Sequence, residues 1–184
     1  MAPRGRVLSE ARQLTGALES AVTAASVAAH QAVPLAPAAA GPVAPAQVPL
    51  DRAALADYDD AVARLAALDL ARVQVVAGAV VRSLLERLHP DGLTGEDAAE
   101  VLGRCARAGR WLPDLDVQVL LVLVTGALGL LDVADQPVAL SPTAVVRHLP
   151  LLITSLLRDT GTTLAPALEG AMAELRRAET VEMP

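Results

Sequence analysis

Apolar residues recur at three- and four-residue steps through most of this chain, and no two-residue alternation lasts long enough to build a sheet strand. The β-branched islands Val73 to Val76 and Val119 to Val124 lie inside segments of helical length. The pattern predicts an all-α protein: an irregular bundle of about six helices, preceded by an N-terminal helix and a Pro/Ala-rich linker.

The first helix is expected from Ser9, as its cap, to Ala32, with Leu14, Leu18 and Val22 along one narrow stripe. Residues 1–33 read as an interaction arm whose stripe docks on another molecule. Pro34, Pro37, Pro42, Pro45 and Pro49 forbid a helix over 34–49 and favour extended chain, with a reach of roughly 50 Å at about 3.1 Å per residue. Residues 50–178 form the helical domain and 179–184 a flexible tail.

Within that domain, Asp51 caps a helix that places Leu55, Tyr58, Val62 and Leu65 on one face, and Asp60 can pair with Arg64 one turn on. Asp69 caps a helix to Leu88. Its polar positions occupy a sector of about 140°, interrupted elsewhere only by Gln74, so it should be central and packed on several sides. His89 to Gly92 form a turn, and Thr94 with Asp97 a capping box for a helix ending near Gly109. That helix buries Ala98, Val101, Leu102 and Cys105 and pairs Glu100 with Arg104. Val117 to Leu131 is the longest apolar run, short of the roughly 20 residues that cross a bilayer, and reads as a buried core helix. Ser141-Pro142 starts another helix that Pro150 should kink, and Leu164, Leu168, Met172 and Leu175 mark the last.

Composition narrows the functional classes. Of 184 residues 53% are hydrophobic but only 1% aromatic, so the core is built from Leu, Val and Ala. There is no Lys, Asn or Phe and all 15 cations are Arg, the footprint of a GC-rich bacterial genome. A net charge of -6 argues against nucleic acid as a partner, because that binding neutralises phosphates with clustered cations. Cys105 is the single cysteine, which excludes an internal disulfide and suits a reducing cytoplasm. Glu10, Arg12, Gln13 and Glu19 interrupt any secretion-signal core.

No catalytic or metal-binding constellation is legible, and no cofactor is implied. The three histidines are scattered, and the acidic groups Asp57, Asp59, Asp60 and Asp114, Asp116 read as solvated helix starts. Cys105 lies on an apolar face and reads as an inert core thiol. Neither glycine-rich phosphate loop occurs, and without Lys the P-loop form is impossible. Trp111 should pack at a corner of the domain. Arg82, Arg87, Arg104, Arg107 and Arg110 form a candidate face for an anionic partner. Arg147 and His148 are a candidate buried polar pair, with Asp132 or Asp135 as acidic partners within reach.

His89-Pro90-Asp91 between two helices resembles the loop of J-domain co-chaperones, with Asp57-Tyr58 near that family's aromatic start. The likeness covers residues 57 to 108. The chain departs from the family in the helix before the loop, which offers only Arg82 and Arg87 with Glu86 between, and in the helix after it, which lacks the aromatic packing residue.

The expectation is a non-enzymatic helical interaction or scaffold protein, binding a protein partner or itself, in the cytoplasm. The alternatives are a peripheral membrane or lipid-binding protein using segments 117–131 and 138–157, and an enzyme assembled from the dispersed His89, Asp91, Cys105, Arg147 and His148.

Overall fold

The computed structural model describes residues 3–32, 52–130 and 140–181. They form seven helices and no strand: α1 (Pro3–Gln31), α2 (Arg52–Ala66), α3 (Leu70–Leu88), α4 (Gly95–Ala108), α5 (Val117–Ala127), α6 (Pro142–Thr160) and α7 (Leu164–Val181). The all-α expectation therefore holds, and the helix contacts make one bundle.

Local signals set most boundaries. The Asp69 carboxylate accepts from the Ala71 N–H at 3.0 Å and starts α3. Thr94 and Asp97 form the reciprocal capping box of α4. The Ser141 hydroxyl accepts from the Ala144 N–H at 3.1 Å, with Pro142 in the first turn of α6. The α1 start differs: helix begins at Pro3 and Ser9 lies inside it, since Pro suits a first helical turn and nothing between them breaks the helix. α5 also differs, stopping at Ala127. Gly129 takes φ +71° and lets its N–H donate to the Gly126 carbonyl while the Leu130 N–H donates to the Thr125 carbonyl, the Schellman termination. The expected caps and partners Asp51, Asp132 and Asp135, the 34–49 linker and the last three residues of the 179–184 tail lie outside the described residues, while α7 carries helix into that tail as far as Val181.

α6 and α3 are the axis of the core. Eleven of the nineteen α6 residues are buried, and the helix continues through Pro150, itself buried. α3 packs on α5, α6 and α7 through Val73, Val76, Ala77, Val80, Val81, Leu84 and Leu85, as a central helix should. Where α4 ends against α6, Gly109 is buried. A Cβ there would meet Leu151 Cδ2 at 2.7 Å and the Cys105 carbonyl at 3.2 Å, so a larger residue would have to push Leu151 aside in the core.

α1 is not set apart from the bundle. Leu14, Leu18 and Val22 are buried against α2 and α6, with Ala21, Ala25 and Ala28 filling the close contact. The Thr154 hydroxyl of α6 reaches the Val22 carbonyl at 3.2 Å, Arg64 of α2 donates to Ser20 Oγ at 3.1 Å, and Arg72 of α3 pairs with Glu10 at 3.0 Å. The stripe proposed for another molecule is covered by this chain's own helices. Arg64 accordingly reaches across to α1 rather than along α2 to Asp60.

Candidate functional site

Two features stand out: a polar knot at the start of α6, and an apolar groove beside α5.

The knot gathers residues far apart in sequence. Tyr58 of α2 is fully buried, donates its hydroxyl to the Arg147 carbonyl, and stacks edge-on against Trp111 with ring centroids 4.9 Å apart. Arg147 pairs with Asp59 of α2 and with Asp114 between α4 and α5, its Nε reaching Asp114 at 2.7 Å. The Arg147 side chain is 17% exposed while Asp59 and Asp114 are 47% and 56% exposed, so a mostly covered cation meets two wet carboxylates. Burial works against its charge, but the hydrogen bonds it donates to Asp114 and Asp59 prevail and hold its pKa above the ordinary value. Among the described residues these are its acidic partners, and the fold brings Asp59 across from another helix, which sequence proximity does not reveal.

His148 is buried and serves a different contact. Its Nδ1 lies 2.8 Å from the Ala144 carbonyl and its Nε2 accepts the Asp116 N–H at 2.9 Å, which assigns the neutral imidazole with the proton on Nδ1. Arg147 and His148 are therefore neighbours with separate duties. One ties α2 and the α4–α5 connection to α6; the other anchors the cap of α5. Both histidine nitrogens are engaged, and Arg147 spends its Nε and one terminal nitrogen on its two carboxylates.

The remaining candidate chemistry is dispersed. Cys105 is buried, and burial pushes its thiol up to about 12, partly opposed by a hydrogen bond with Ser155. It is an inert core thiol, as expected. His89 Nδ1 stands 3.7 Å from Asp97, whose carboxyl lies below the ordinary range chiefly through its hydrogen bonds with Thr94. His89-Pro90-Asp91 closes a turn through the Gly92 N–H donating to the His89 carbonyl at 3.0 Å, and its contacts are local. Among the described residues no group of three His, Cys, Asp or Glu can hold a metal ion.

The five arginines do not form one free face. Arg82 donates Nε to the Ala127 carbonyl at 2.8 Å, closing the end of α5. Arg104 pairs with Glu100 and with Asp159 of α6 at 2.9 Å. Arg87, Arg107 and Arg110 are exposed and make no ion pair among the described residues.

The groove lies between α3, α5 and α6, with a volume of about 490 Å³, in the range of ligand pockets. Its walls are Val81, Val122, Leu123, Ala127, Val145 and Leu149; Gly78 and Gly126 deepen it, and Gln74 is its one polar side chain. A Cβ on Gly78 or Gly126 would meet nothing within 4 Å, so packing does not require glycine at either place. α5 also leaves apolar residues exposed outside the groove. Of the eleven residues of this helix only Gln118 and Thr125 are polar, yet Val117 is 44% and Leu121 37% exposed; Val75 of α3 is 56% exposed. Here the structure departs from the expected buried core helix: α5 covers only Val119, Leu120, Val124 and Ala127. The sequence signal was present in the excess of apolar residues, but periodicity cannot separate a fully buried helix from a half-exposed one.

Another cleft, about 570 Å³ between α1 and α2, is lined by Glu19, Asp57, Asp60 and Arg64 and carries no grouping that fixes a ligand. None of His89, Asp91, Cys105, Arg147 or His148 lines either cleft. Compared with known proteins, the chain matches no family model, no curated protein and no solved structure. Among the described residues no helix is long and apolar enough to cross a membrane.

Proposed function

We propose that this chain is a non-enzymatic interaction protein whose working surface is the outer face of α5 together with the groove it shares with α3 and α6. One observation carries the reading: α5 has no charged residue, and its Val117 and Leu121 are exposed while Val119, Leu120, Val124 and Ala127 are buried. Apolar surface that folding leaves uncovered, on a helix that also walls an apolar groove, suits contact with another molecule. The glycines support it. Gly78 and Gly126 each cost a helix interior about 1 kcal/mol relative to alanine and give no packing in return, but they keep the groove deep.

A photo-crosslinking residue at position 121 or 75 of the full chain, expressed in its own cell, tests the reading against the same residue at the exposed Ala67. Adducts with protein from 121 and 75 but not from 67 are expected. Equal capture at all three positions, or none, would overturn it.

The second reading is an apolar small molecule or a lipid tail, favoured by the groove's volume and its single polar group, Gln74. Mass spectrometry of organic extracts of the purified protein separates the two.

A further inference from the structure

Resting on the reading of α5 as a binding face, we propose that its occupant is a second copy of this chain, the two α5 helices lying antiparallel across a twofold axis close to Leu121.

Electrostatics favours that place of contact. Each copy carries a formal charge of -6, so a contact centred on an uncharged helix brings no like charges together at its middle. Among the seven described helices α5 alone has no Asp, Glu, Arg or His.

The stripe itself is self-complementary. Val117, Leu121 and Thr125 follow at four-residue steps, so they share one face and are placed evenly about Leu121. A twofold contact sets residue i against j and j against i. Antiparallel α5 helices then place Val117 of each copy against Thr125 of the other and the two Leu121 side chains against each other. Thr125 brings no unmet donor, because its hydroxyl already donates to the Leu121 carbonyl at 2.8 Å.

The ends of α5 match as well. Its N-terminus carries the Asp116 carboxylate, which caps the helix by accepting the Gln118 N–H at 2.8 Å. Its C-terminus carries the Arg82 guanidinium, bonded to the Ala127 carbonyl with its terminal nitrogen beside Gly129. An antiparallel pair lays the Asp116 end of each copy over the Arg82 end of the other, twice. The helix dipoles oppose in the same arrangement.

The test uses the full chain. Light scattering should give twice the 18.9 kDa chain mass, and Leu121→Arg should weaken association by at least about tenfold with an unchanged circular-dichroism melt. Single cysteines then fix the geometry, since Cys105 is buried and cannot compete. Leu121→Cys should oxidise to a covalent dimer. Val117→Cys alone should not, because antiparallel copies hold those positions about 12 Å apart along the axis, beyond the reach of a disulfide. A mixture of Val117→Cys and Thr125→Cys chains should cross-link. One-copy mass at every concentration reached, or Val117→Cys dimerising as readily as Leu121→Cys, would overturn the proposal. One-copy mass together with photo-adducts to a different protein from position 121 would sink the second copy while leaving the interaction reading standing.

Discussion

The Tyr58 hydroxyl donates to the Arg147 backbone carbonyl, joining the second helix to the sixth across a fully buried ring. This contact closes the end of the bundle at which Trp111, Asp59 and Asp114 also converge. Tyr58→Phe keeps the ring and its edge-on contact with Trp111 but removes the donor. A loss of about 1 kcal/mol is expected, read from urea unfolding followed by Trp111 fluorescence with the slope unchanged.

Alkaline pH attacks the same region. Burial raises the Tyr58 pKa, Asp114 and Asp59 add to the shift, and Arg147 partly opposes it; the Cys105 thiol is likewise pushed up to about 12 by burial. Both groups bind their protons more tightly folded than unfolded. Their stabilisation is therefore complete below the unfolded values, about 8.5 for the thiol and 10 for the phenol, and is lost as pH rises beyond them. Since Tyr58 is the one tyrosine, tyrosinate absorbance near 295 nm should appear only together with unfolding. Ionisation of a fully folded chain near pH 10 would contradict the burial.

Arg147 should matter more than either of its carboxylates. Arg147→Ala removes a mostly covered side chain and both ties, and should cost about 2 kcal/mol. Asp59→Asn or Asp114→Asn leaves the other partner and removes a half-exposed charge, and each should cost under about 1 kcal/mol. Chemical denaturation of the three variants orders them.

Glycines separate folding from binding. Gly78→Ala and Gly126→Ala put a methyl into open space in a helix and should each raise stability by about 0.5 to 1 kcal/mol while making the groove shallower. Gly109→Ala drives a Cβ into Leu151 and should lower stability by more than about 1 kcal/mol. Thermal melts of the three read opposite signs.

The helices whose ends carry side-chain signals were legible in the sequence: α3 from Asp69, α4 from Thr94 with Asp97, and α6 from Ser141-Pro142. The centrality of α3 was legible too, from the width of its apolar sector. Three things were not. The Arg147 partners lie on other segments, and charge pairing between distant residues leaves no periodic trace. α5 ends at Ala127 through backbone geometry at Gly129, where the apolar pattern alone runs on. The groove arises from the gap among three helices, so Gly78 and Gly126 acquire meaning only once those helices are placed.

The central claim is that the exposed side of α5 serves contact with another molecule and is dispensable for folding. The most direct measurement pairs the unfolding free energy of Leu121→Glu with its association by light scattering and photo-crosslinking, beside Leu120→Ala on the buried side of the same helix. Leu121→Glu should fold within about 0.5 kcal/mol of the parent and lose its contacts, while Leu120→Ala should lose about 2 to 5 kcal/mol of stability. A Leu121→Glu chain that unfolds, or one that folds and keeps every contact, would contradict the account.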